Sequence, residues 1–178
     1  MKRLIINHLV ASTLILTAGL SQAEGWYMES DPFAFLLGGY SLHAGKSVGP
    51  VRVQAGVFGL DLPEGVRDNP AFDVRMDGFG LKLDYQGESD QGWFAGVDLD
   101  RTRERYSRAG FDSKATRQSL LLGMRGGYRY AVNKQLFVSP WFGMSANIGD
   151  KSRVQIGDEH YTPAQWQPFA TMHVGMVF

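Results

Sequence analysis

The C-terminal stretch of the chain, residues 165–178, reads QWQPFATMHVGMVF. Every second residue from Trp166 is apolar: Trp166, Pro168, Ala170, Met172, Val174, Met176 and Phe178. The other register is mixed, with Gln165, Gln167, Thr171 and His173 among its members. A period of two over this length is a β-strand with one apolar and one wetter face. Such a strand with an open edge invites aggregation, so it must be paired into something closed. A sheet closed on itself with its apolar face outward is the β-solution to crossing a lipid bilayer.

The same alternation recurs upstream. Tyr40, Leu42 and Ala44 alternate with small or polar residues before GKSVGP turns the chain, and Val51, Val53, Ala55 and Val57 continue it to about Leu62. Further strands are expected over about 73–86 (Phe79, Leu81, Leu83, Tyr85 on one face), from Trp93 to about Leu99, over 120–130, and from Val138 to Ile148. Three short connections (GKSVGP, GESDQG, NKQ) alternate with three long polar ones at 64–72, 107–117 and 150–164. Seven strands are clear, and closed barrels of this kind carry an even number, with short turns on the periplasmic side. Parity therefore places an eighth, short and irregular strand in 25–38. The run Asp31-Pro32 followed by FAFLL and Gly38-Gly39 reads equally well as a short helix with an N-cap, a proline at its first position and a glycine stop. The expected fold is all-β, an antiparallel up-and-down transmembrane barrel of eight strands, with strand or helix left open at 25–38.

The chain opens with Lys2 and Arg3, an apolar run from Leu4 to about Leu20, and small residues at Ser21 and Ala23. This is the pattern of a secretory signal peptide over 1–23, leaving 24–178 as a single barrel domain. The chain carries 18 basic and 18 acidic residues, so no excess of positive charge points to nucleic acid. There is no cysteine, which removes disulfides, thiolate metal sites and a lipidated N-terminus. After the leader no run approaches the roughly 18–20 apolar residues of a membrane helix.

Leader, alternating strands, loop asymmetry and the terminal Phe178 together resemble the small eight-stranded outer-membrane proteins of the OmpA, OmpX, OmpW and PagP kind. The resemblance is one of architecture over the whole of 24–178. It implies residence in the bacterial outer membrane, contact with its lipid and lipopolysaccharide, and recognition of the terminal aromatic by the barrel-assembly machinery.

Four groups of residues are candidates for chemistry. Lys82, Asp98 and Arg125 face inward on three successive strands, and hairpin counting sets Lys82 diagonal to Asp98 and Asp98 about opposite Arg125. Such a ladder is an ion path or, since eight strands leave room only for side chains, internal packing. His43 and His173 both face inward near the closure and form a candidate proton-responsive pair, with no third ligand for a metal. His160, beside Asp158 and Glu159 and near Ser152, is the weak catalytic candidate for acyl transfer, if loop serines converge on it. Arg101, Arg103 and Arg105 share the outward face of Val97 and Leu99, where guanidinium groups suit the phosphates of lipopolysaccharide. Arg108, Lys114 and Arg117 are read as part of the same basic loop. No cofactor or metal is expected. The reading favours a structural or surface-interaction role, with a lipid-modifying enzyme, a narrow channel and a soluble lipocalin-like barrel as the alternatives.

Overall fold

The computed structural model describes residues 25–86 and 91–178; the signal-peptide reading of 1–23 falls outside them. The chain forms β1 (Trp26–Ser30), α1 (Pro32–Leu36), β2 (Tyr40–Val48), β3 (Val51–Asp61), β4 (Phe72–Tyr85), β5 (Gly92–Arg108), β6 (Ala115–Ala131), β7 (Leu136–Asn147), the small hairpin β8 (Val154–Ile156) and β9 (Glu159–Tyr161), and β10 (Trp166–Val177). Eight of these close a barrel in the order β1-β10-β7-β6-β5-β4-β3-β2, every ladder antiparallel.

The side chains of the barrel are turned inside out relative to a soluble protein. Lys82, Asp84, Asp98, Arg125 and Arg129 are buried within, whereas Leu81, Val97, Leu122, Met124 and Phe142 are exposed on the outside. The lipocalin-like alternative requires the opposite arrangement and is thereby overturned. An exposed belt this apolar is stable only against hydrocarbon, and closure pairs the backbone groups of most of the sheet there, the β1-side edge of β10 before Val174 being the exception.

Both readings of 25–38 prove correct, in succession. Trp26–Ser30 is a strand, and Asp31 then caps α1 by accepting a hydrogen bond from the Phe33 amide at 2.8 Å. Pro32 starts the helix, where its missing N–H is not needed. As a result β1 is only half a strand: it pairs with β10 at Val174–Val177 and with β2 at His43–Lys46. Above Ser30 the place of a strand is taken by α1. The helix is tied to one side by the Asp61 amide donating to the Leu37 carbonyl at 3.0 Å, and to the other by the Thr171 hydroxyl donating to Asp31 at 2.8 Å.

Several loops are shorter than the composition suggests. GKSVGP is mostly strand, and the turn is Gly49-Pro50, with Gly49 at φ +56° where a side chain would be strained. The charged stretch 101–117 is also mostly strand, since β5 runs to Arg108 and β6 begins at Ala115. The polar stretch 150–164 carries the β8–β9 hairpin, which no alternation had marked. That hairpin folds onto the barrel's upper end, where Val154, Ile156 and Tyr161 pack with Phe72, Val74 and Tyr106 into a small apolar core.

Candidate functional site

The middle and lower lumen is filled by charge arranged around glycine. Lys82 lies directly opposite Asp98 rather than diagonal to it, and Arg125 lies opposite Gly96, not Asp98. The ladder is therefore re-partnered: Arg125 donates from Nε to Asp84 Oδ1 at 2.9 Å and from Nη2 to Asp84 Oδ2. Asp84 is on β4 and Arg125 on β6, two strands apart, and Gly96 of β5 stands between them. Lys82, Asp98 and Arg125 are all inward and buried, as expected from period two. Trp141 sits against both cations, its ring centroid 5.5 Å from Lys82 and 5.4 Å from Arg125.

Toward the end of the barrel where β10 finishes, Arg129 lies over Phe137 at 3.4 Å and over Tyr27 at 5.0 Å. With Arg52 against the same tyrosine, these groups fill the lower lumen. The two histidines do meet: His43 and His173 stack with centroids 5.2 Å apart. Their third member, Glu29, comes from β1 and lies 2.5 Å from His173 Nδ1, with Arg129 at 3.8 Å. Sequence reasoning missed Glu29 because no alternation identified its strand. Among the described residues no group of ligands suited to a metal ion forms.

Outside, Arg101, Arg103 and Arg105 project from the outward face of β5, above Val97 and Leu99, as anticipated. Arg101 donates to Gln118 at 2.8 Å, Arg105 pairs with Asp77, and Arg75 bridges Asp77 at 3.7 Å and Asp61 at 3.1 Å. Arg103 faces Asp77 and Gln118 across its two ladders and takes part in no ion pair among the described residues. Arg117 does not belong to this rim. Its parity turns it inward, where it donates to both oxygens of buried Glu104 at 3.0 and 3.1 Å, with Ser119 adding a third bond at 3.0 Å.

The acyl-transfer constellation does not assemble. His160 is exposed on β9. Asp158 is held by Arg108 at 2.5 Å, and Ser152 is turned to Asp150 at 2.9 Å. The Arg108 hydrogen bond keeps the Asp158 carboxyl below the usual carboxylate range.

Fold and side-chain orientation define a small eight-stranded β-barrel built to have lipid on its outside. Solved structures share that fold, three of them from outer-membrane proteins. Neisserial surface protein A is 13% identical, with a TM-score of 0.59 over 87% of this chain and 98% of that one. The N-terminal barrel domain of Pseudomonas aeruginosa OprF is 13% identical, with a TM-score of 0.55 over 85% and 96%. A major outer membrane protein of Thermus thermophilus is 14% identical, with a TM-score of 0.52 over 88% and 100%. No protein-family model and no curated protein sequence matches the chain.

Proposed function

We propose that this chain is a bacterial outer-membrane barrel with a structural or surface-interaction role, whose outward arginine rim holds the phosphates of lipopolysaccharide. The observation that carries the reading is the row Arg101, Arg103, Arg105 on one strand face, immediately above the apolar Val97 and Leu99. With Arg75 the rim has four guanidinium groups against the carboxylates of Asp61 and Asp77. Two cationic charges are left over at the depth where a lipid headgroup begins. Guanidinium matches phosphate bidentately, and at the edge of hydrocarbon it is less screened than in open water.

The channel reading has less support, because the lumen is occupied by Tyr27, Phe137 and Arg129 below and by the Arg125–Asp84 pair at mid-height. The shared fold of the outer-membrane structures supports the location.

The test is titration of purified lipopolysaccharide into the refolded barrel, wild type against Arg101→Glu/Arg103→Glu/Arg105→Glu. Exposed charge pairs contribute up to about 1 kcal/mol each, so the reversal should weaken binding by about tenfold or more. Equal affinity for both chains, together with unchanged detergent and antibiotic sensitivity of cells, would refute the assignment.

A further inference from the structure

The upper half of the barrel encloses a cavity of about 600 Å³, within the size range of ligand sites at roughly 300–1,000 Å³. Its inner wall is mainly apolar, with Leu60, Leu62, Val74 and Met76, and the two carboxylates that reach it, Asp31 and Glu104, are bonded to Thr171 and Arg117. What distinguishes it is the β10 side, where the six consecutive residues Trp166–Thr171 all line it. Consecutive strand residues point to opposite faces. A cavity touching both faces must therefore pass around the edge of the strand, through the barrel wall.

That edge is open by construction. The Asn147 amide donates to the Gln165 carbonyl, the Val177 amide to Gln135, and the Phe178 amide to Trp26. Odd-numbered backbone groups of β10 thus face β7, and even-numbered ones face β1. Since β1 pairs only with Val174–Val177, the even positions 166, 168, 170 and 172 have no partner strand. Proline occupies one of them, so Pro168 has no amide hydrogen to leave stranded toward the gap. On its inward side Phe169 is 39% exposed, a large apolar ring facing open space inside the barrel.

The gap lies at hydrocarbon depth. Pro168 pairs with Met144 and Ala170 with Phe142, and both partners are exposed members of the outward apolar belt. Across the opening α1 presents Phe33, which lines the cavity and is also exposed. A lumen cavity that opens sideways into the acyl-chain region, with apolar walls, selects an occupant from the bilayer rather than from water.

We propose that the cavity takes one acyl chain of a membrane lipid, threaded sideways between α1 and β10. The proposal rests on the reading of the protein as a membrane barrel but not on the arginine rim. β5, which carries that rim, is four strands from β1 in either direction around the barrel, so a second lipid molecule is involved.

The test uses the unmodified protein in phosphatidylcholine vesicles containing a phosphatidylcholine with a photoactivated diazirine on one acyl chain. Peptide mass spectrometry then locates the carbene insertions. Outward Val97 and Leu99 report embedding in the bilayer, and label there confirms the membrane reading independently. Insertion at Leu60 and Met76 as well, at a level comparable to Val97, is the expected result. Insertion confined to outward residues, with Leu60 and Met76 unlabelled, overturns the proposal and leaves the membrane reading and the rim untouched.

Discussion

Arg125 and Asp84 are joined by two hydrogen bonds across an intervening strand, and Gly96, opposite both, is what lets them meet. A Cβ at Gly96 would collide with the Asp84 carboxylate and with the Leu83 carbonyl. Gly96→Ala should therefore destabilise the barrel by about 1–3 kcal/mol, the usual range for overpacking a filled interior. Urea unfolding in lipid vesicles, followed by tryptophan fluorescence, measures it. Gly65→Ala, at a position with open space around it, should be near neutral in the same assay.

The pair itself is buried, with both side chains no more than 5% exposed. Removing one partner of a buried pair strands the other charge, at about 3–5 kcal/mol. Asp84→Ala should show that loss, while Asp84→Asn combined with Arg125→Gln should recover most of it. Additive losses in the double variant would mean that the two side chains do not act as a unit.

The outer hairpin offers a pH test. Arg108 donates to Asp158 and to the Ile156 carbonyl, the latter at 3.2 Å, clamping β8–β9 to the barrel. Asp158 titrates below its ordinary 3.8 because of the Arg108 hydrogen bond. A depressed carboxyl contributes its stabilisation above the unfolded pKa and loses it as pH falls through the folded one. Amide exchange over 154–161 should thus be slower in the wild type than in Asp158→Asn at neutral pH. The difference should begin to shrink near the 3.8 of a free Asp and vanish once the pH has fallen through the lower folded pKa. With Asp158 largely solvent-exposed, the effect is confined to the hairpin.

Planar-bilayer recordings should show no conductance above background for the wild type, since Arg129 is seated on Phe137 and Tyr27 in the lower lumen. Steady open-channel current would contradict a filled interior and revive the ion-path reading of Lys82, Asp98 and Arg125.

Strand existence and facing were legible in the sequence because period two is a strong signal wherever one side meets lipid. Val97, Leu99 and the three arginines after them are placed correctly on that basis alone. Arg117 is the opposite case. A charged residue in a charged run looks solvated, and only its odd position on β6, facing Glu104, turns it inward. The partner of Arg125 depended on a two-residue offset that hairpin counting could not resolve. The β8–β9 hairpin has strands of three residues, too short for any alternation to emerge. Glu29 and the side opening share one origin: both depend on a half-strand followed by a single helical turn, and five residues of each carry no period to read.

That half-strand bears on how the barrel deforms. β1 is held by four residue pairs on either side, whereas the ladders among the other seven strands run to between nine and fifteen. Glu29, by reaching His173, adds a side-chain clasp to a line that has few backbone ones. The cylinder is thus stiff around most of its circumference and compliant along one line. Bending stress from a membrane of changing thickness or curvature would gather there, letting the wall widen beside α1 while every long ladder stays intact.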